Sequence, residues 1–159
     1  MITLSEAHSA PDLAAVRALF QEYADTLGVD LGFQGFDEEL RTLPGPYAPP
    51  RGTLLLASQA GRALGCVAVR PLGPALAEMK RLYVRAEGRG QGLGRILALA
   101  AIDHARSARY RGLRLDTMPQ MTQAHGLYES LGFVSIAPYR HNPVPGTTFL
   151  ELSLAPPAP

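Results

Sequence analysis

The 159-residue sequence predicts an α/β (α+β) fold, one mixed central sheet of about six to seven strands flanked by about four helices. Three observations predict it. Segments 2–4, 53–57, 64–70, 78–84, 113–117, 133–136 and 148–154 read as strands, by alternation or by short apolar runs bounded by turn residues. Residues 13–27 and 93–110 instead repeat their apolar positions at the helical period. Finally, strand 78–84, helix 93–110 and strand 113–117 succeed one another as a crossover unit, which makes the two strands parallel and the connection right-handed.

The elements follow in order. Ile2 and Leu4 alternate with polar neighbours as a short strand, and Ser9-Ala10-Pro11-Asp12 is a helix start with proline near the first turn. Leu13, Val16, Leu19, Phe20, Tyr23 and Leu27 then share one helical face until Gly28 ends it. Residues 30–36 form an aromatic, Gly-containing link; Asp37, Glu38 and Glu39 supply acids for the first turn of a short second helix, which Pro44 stops. Segment 44–50 contains four prolines and is expected to be a stiff loop. Segments 53–57 and 64–70 make a hairpin across 58–62. After strand 113–117, residues 119–121 lead into a helix that Gly132 terminates, and the last two strands close the sheet. Residues 1–154 are expected to form a single domain, and the Pro/Ala tail 155–159 to be disordered.

Composition narrows the function. A chain this long buries about 70% of its unfolded surface without staples. A net charge of +1 gives no general attraction to nucleic acid, and basic residues cluster only between Lys80 and Arg95. Cys66 stands alone in an apolar run, so it reads as a small buried hydrophobe, and no disulfide can form within the chain. His8, His104, His125 and His141 lack ligand spacing, so no metal is expected. With no signal-like start and no apolar run near 18 residues, the expectation is a soluble, cytoplasmic protein with no membrane partner.

The most informative stretch is Arg89-Gly90-Gln91-Gly92-Leu93-Gly94, a turn between strand and helix followed by Arg95. Glycine permits left-handed backbone and close approach of a ligand, and the helix behind it adds unpaired N–H groups and a positive dipole end. Its natural occupant is a phosphate or pyrophosphate. No Lys-Ser or Lys-Thr exists to complete the phosphate loop of the NTPases, and the glycine spacing never gives G-x-G-x-x-G. The charged strand Glu78-Met79-Lys80-Arg81-Leu82-Tyr83-Val84 also lacks the continuous apolar character of a buried parallel dinucleotide-fold strand.

Three signatures agree in order and spacing: Leu82-Tyr83-Val84, the R-x-x-G-x-G of residues 89–94, and Leu127-Tyr128-Glu129-Ser130-Leu131-Gly132-Phe133. Together they resemble the GNAT superfamily of acyl-CoA N-acyltransferases over residues 1–154. The resemblance implies a mostly antiparallel sheet whose fourth and fifth strands are a splayed parallel pair. It implies acetyl-CoA as cosubstrate, with the pyrophosphate on the N–H groups of Gln91, Gly92, Leu93 and Gly94 near Arg89, Gly90 and Arg95, and the pantetheine arm along Leu82, Tyr83 and Val84. It implies direct attack by an amine on the thioester. Tyr128 takes the family's general-acid position and Glu78 that of a base; the plainer alternative for Glu78 is a strand-end carboxylate pairing Lys80 or Arg81 in solvent.

One departure is Met121, which stands where many relatives carry an Asn seven residues before the tyrosine. The acceptor site is implied to lie between the link 30–36 and the loop 138–146, with Phe33, Tyr47 and Arg140 as candidate substrate contacts. The expected partner is a small-molecule amine, for which the proline-stiffened segment 44–50 suggests a pocket wall. A protein N-terminus or lysine, a non-catalytic acyl-CoA-binding or sensing module, and a homodimeric assembly stay open.

Overall fold

The computed structural model describes residues 1–28 and 30–154, without the side chains of Phe33 and Gln34; the tail 155–159 lies outside the described residues. Seven strands, β1 (Ile2–Glu6), β2 (Thr53–Gln59), β3 (Arg62–Leu72), β4 (Leu76–Val84), β5 (Gly112–Thr117), β6 (Val134–Ile136) and β7 (Thr148–Ser153), form one sheet in the order β1-β2-β3-β4-β5-β7-β6. Every neighbouring pair is antiparallel except β4 and β5. Four α-helices flank it: α1 (Ala10–Leu27), α2 (Phe36–Thr42), α3 (Leu93–Ser107) and α4 (Thr122–Ser130). This is the architecture the sequence predicts.

Alternation along the strands divides the core into two layers. Leu55, Val67, Val69, Ala77, Met79, Leu113 and Leu115 face α3, whose Leu97, Ala101 and Ile102 are buried against them. Leu54, Leu56, Cys66 and Ala68 face the other way, toward Val16, Leu19 and Phe20 of α1 and Phe36 of α2. Helix α1 begins in a capping box: Ser9 Oγ accepts the Asp12 N–H at 3.2 Å, and Asp12 Oδ2 accepts the Ser9 N–H at 3.4 Å.

Several boundaries differ from the sequence reading. The β2–β3 hairpin is tighter than the five-residue link 58–62, because both strands continue until only Ala60 and Gly61 turn the chain. Helix α3 stops at Ser107 and not near residue 110; Arg109 is left-handed (φ 67°) and Tyr110 is buried, its hydroxyl donating to the Arg51 carbonyl at 3.0 Å.

Two irregularities position the site. Strands β4 and β5 pair only at Leu76–Gly112, Ala77–Leu113 and Glu78–Arg114, and then part. On its other edge β4 carries a bulge: Lys80 opposes Ala68 and Tyr83 opposes Cys66, so Arg81 and Leu82 together face Val67. Arg81 absorbs the extra residue in a left-handed conformation (φ 62°).

Candidate active site

The glycine turn builds a cradle of backbone donors. Gly90 (φ 82°) and Gly92 (φ 73°) are both left-handed, and Gly92 caps α3 without any side-chain bond. The first helical hydrogen bond runs from the Ile96 N–H to the Gly92 carbonyl at 3.1 Å, so the N–H groups of Leu93, Gly94 and Arg95 have no helical partner. These donors open on a groove of about 610 Å³ lined by Leu82, Tyr83 and Val84 of β4, by Arg89, Gly90, Gly92, Leu93 and Gly94, and by residues of α1 and α4. Gln91 and Arg95, also predicted for this site, do not line the groove; Arg95 donates instead to Ser130 Oγ at 3.2 Å. The sequence reading missed Tyr23, Thr26 and Leu27, which α1 contributes to the facing wall and which look like ordinary positions of an amphipathic helix.

A smaller cavity of about 20 Å³ adjoins the groove, sharing Tyr23, Leu82 and Met121 with it, where β4 and β5 have separated. Tyr128 reaches it from α4, with Lys80 and Asp116 beside it and Met79, Leu115 and Met118 as apolar wall. Tyr128 is buried against Phe133 (centroids 5.6 Å apart), and its hydroxyl has no hydrogen-bond partner among the described residues. Burial holds this phenol protonated, well above its ordinary range. Burial also pushes Lys80 down to about 8, with the Arg81 charge acting in the same direction. Met121, at the family's Asn position, lies 3.9 Å from Thr117 Oγ1 and fills the junction of groove and cavity with a thioether.

Glu78 is not a strand-end carboxylate in solvent. It is fully buried, in a row of alternating charges that crosses the sheet at one register, Arg70–Glu78–Arg114–Glu151. Arg70 Nε donates to Glu78 Oε1 at 3.0 Å and Arg114 Nε to Glu151 Oε1 at 2.7 Å. The loop between β6 and β7 covers the row: the Tyr139 hydroxyl donates to Glu78 Oε2 at 2.6 Å, and Arg140 pairs the same oxygen. Burial works to raise the Glu78 carboxyl, but the charges of Lys80 and Arg140 and the Tyr139 hydroxyl outweigh it and hold the group below its ordinary range. Partners this distant in sequence leave no local signal.

The other side of β4 is fixed by a buried ion pair. Arg81 donates to both Glu39 oxygens, at 2.9 and 3.0 Å, and its guanidinium lies 5.9 Å from the Tyr23 ring centre and 5.2 Å from that of Phe36. Two predicted substrate contacts change here. Tyr47 lines neither the groove nor the cavity beside Tyr128: the proline-rich segment turns inward, and the ring packs in the core edge-on to Phe20, with centroids 6.2 Å apart and 1% of its surface exposed. The Phe33 side chain lies outside the described residues. Arg140 is instead drawn into the charged row. Among the described residues no cluster of His, Cys, Asp and Glu has the makings of a metal site, and no helix is long and apolar enough to cross a membrane.

A seven-stranded sheet opened between a parallel pair, with an anion cradle at one end of the opening and a buried phenol within it, defines an acyl-transfer scaffold. Residues 15–133 match the Acetyltransferase (GNAT) family, and the chain belongs to that family of acyltransferases. It is 42% identical to an uncharacterized N-acetyltransferase of Schizosaccharomyces pombe, over 97% of this chain and 96% of that one. Among solved structures it shares its fold with an acetyltransferase of the GNAT family from Staphylococcus aureus Mu50 (TM-score 0.80, 17% identity, 98% and 100% of the two chains). The same holds for yncA of Salmonella typhimurium, solved with its cofactor acetyl-CoA (TM-score 0.68, 22% identity, 97% and 94% covered).

Proposed function

We propose that this chain is an acetyl-CoA-dependent N-acetyltransferase acting on the primary amine of a small molecule by direct attack. The observation that carries the reading is the hydroxyl of Tyr128, without a hydrogen-bond partner among the described residues, at a cavity that adjoins the groove beside the glycine cradle. Backbone N–H groups of residues 92–94 suit the pyrophosphate, with Arg89 alongside. The edge of β4 at residues 82–84, freed from β5, suits the amides of the pantetheine arm. A thioester carried along that edge ends in the splay beside Tyr128.

There the phenol, which burial keeps in its protonated form, donates its proton to the departing sulfur. The proton-accepting role read from the sequence at Glu78 has weaker support. Both its oxygens are already engaged by cations or a phenol and its carboxyl is held below the ordinary range, so it anchors Tyr139 and Arg140. Asp116, which lines the cavity with Tyr128, is the better placed carboxylate.

A screen of thiol release from acetyl-CoA across amines, amino acids, aminoglycosides and peptide N-termini tests the reading. Some small amine is expected to accelerate release, and Tyr128→Phe to lower kcat by about 10²–10⁴ with little change in acetyl-CoA affinity. Unchanged turnover in Tyr128→Phe overturns the general-acid assignment; acetyl-CoA binding with no acceptor at all points to a sensing module.

A further inference from the structure

Three of the chain's four methionines, Met79, Met118 and Met121, line the cavity of about 20 Å³ beside Tyr128. Met79 stands with Leu115 in the core layer of α3, whereas Met118 and Met121 belong to the layer of α1. The latter two come from one turn. Met118-Pro119-Gln120-Met121 joins β5 to α4, with the Met121 N–H donating to the Met118 carbonyl at 3.0 Å and proline at the second position, which such turns favour. The first and last residues of this turn therefore reach the same cavity.

A methionine is unbranched and normally adapts to whatever packs against it. Here both thioethers are held. The Thr117 hydroxyl lies 3.9 Å from Met121 Sδ, and the Gln120 amide nitrogen lies 3.9 Å from Met118 Sδ while donating to the Leu27 carbonyl at the end of α1 at 3.2 Å. Behind the turn, Gly146 of the loop between β6 and β7 packs so closely that a Cβ on it would stand 3.4 Å from the Pro119 ring. The turn is clasped from both sides.

Its place along the donor arm gives it a task. Groove and cavity meet at Tyr23, Leu82 and Met121. A thioester with its sulfur within reach of the Tyr128 hydroxyl lies at that junction, and the acyl carbons are the next atoms inward. The far end is shut, because β4 and β5 pair at Glu78–Arg114, directly before Met79 and Leu115. About 10–15 Å³ is needed to hold one water-sized group. About 20 Å³ thus receives a methyl group, and a further carbon enters only by displacing a wall.

We propose that Met118 and Met121 are specificity-determining residues that set the length of the acyl group: the acetyl methyl rests against them, and the added carbons of a propionyl or butyryl chain collide with them. This rests on the N-acetyltransferase reading and adds the residues that select the donor.

The test measures thiol release from acetyl-, propionyl- and butyryl-CoA with each amine that is active with acetyl-CoA, and in parallel the Tm gain that each donor gives without an amine. For the wild type, kcat/KM is expected to fall about ten- to two-hundredfold from acetyl to propionyl, the worth of one methylene in an apolar pocket, and to fall again for butyryl. Met118→Ala and Met121→Ala should each raise the propionyl-to-acetyl ratio about tenfold or more, whereas Met118→Leu, which nearly conserves volume, should keep it near the wild-type value. Wild-type turnover of propionyl-CoA equal to that of acetyl-CoA overturns the proposal, as does a ratio that neither alanine variant moves. If no amine releases CoA, the N-acetyltransferase reading falls and the Tm gains decide this one. A larger gain from acetyl-CoA than from propionyl-CoA, narrowed in the alanine variants, then supports it; equal gains overturn it. Should Met118→Ala not fold, the half-buried Met121 supplies the deciding alanine variant.

Discussion

Gly92→Val separates the backbone geometry of the cradle from its chemistry. Gly92 sits at φ 73° and ψ 19° as the cap of α3, and a Cβ built there meets nothing within 4 Å. The substitution therefore acts through the dihedral and not through a clash. A left-handed non-glycine residue costs about 1–2 kcal/mol, and a β-branched one up to about 3. For a chain of this size that is a fall in Tm of about 2–12 °C, short of unfolding. Relief of the strain turns the N–H groups of residues 92–94 away from the groove. Losing about two charge-assisted hydrogen bonds weakens acetyl-CoA by roughly 3–6 kcal/mol, or two to four orders of magnitude in Kd. Thermal melts with and without acetyl-CoA read both effects: a ligand at a hundred times its Kd stabilises the wild type by about 2.7 kcal/mol, and that gain should vanish in the variant. Gly92→Asn, which tolerates left-handed backbone, should keep most of it. A folded Gly92→Val protein with wild-type acetyl-CoA affinity refutes the cradle.

Two further outcomes concern the buried charges. Glu39→Ala leaves the Arg81 guanidinium, 2% exposed, without its carboxylate; the expected loss is about 3–5 kcal/mol in denaturant unfolding, and a loss below about 1 kcal/mol counts against this pair as a structural anchor. Glu78 has a folded-state value lowered from its ordinary 4.5, so the stability it contributes is fully present above about pH 4.5 and is lost as pH falls through the lowered value. Glu78→Gln should therefore lower the Tm near neutrality and flatten its decline between about pH 5 and 3; parallel acid limbs in variant and wild type speak against the assignment.

Much of the fold was legible because its signals are local. The apolar runs of β2 and β3, the Ser9–Asp12 helix start before α1 and the glycines before α3 each act within a few residues, and the strand–helix–strand order fixes the parallel pair. The charged strand β4 was legible only in part. Its acids and bases argued correctly against a dinucleotide strand, yet Glu78, Lys80 and Arg81 are all buried, since Arg70, Arg140 and Glu39 reach them from other elements. Tyr47 shows the opposite limit: an aromatic ring in a proline-rich loop suits a pocket wall and a core equally well, and the inward turn of the chain decides. No local signal marks Asp116, because only the parting of β4 and β5 beyond residues 78 and 114 brings it beside Tyr128.

The bulge at Arg81 makes the orientation of the groove-facing edge of β4 conditional. Side chains alternate along a strand, so removing one extra residue from β4 turns everything after it to the opposite face. Tyr83 then trades places with its neighbours, and the backbone groups of residues 82–84 exchange their outward and inward roles. What opposes that slip is a carboxylate on the short helix α2, forty-two residues earlier in the chain, gripping Arg81 at both oxygens. Helix α2 thus serves as a latch on strand register, and the parity of β4 is decided by a residue that lines neither the groove nor the cavity beside Tyr128.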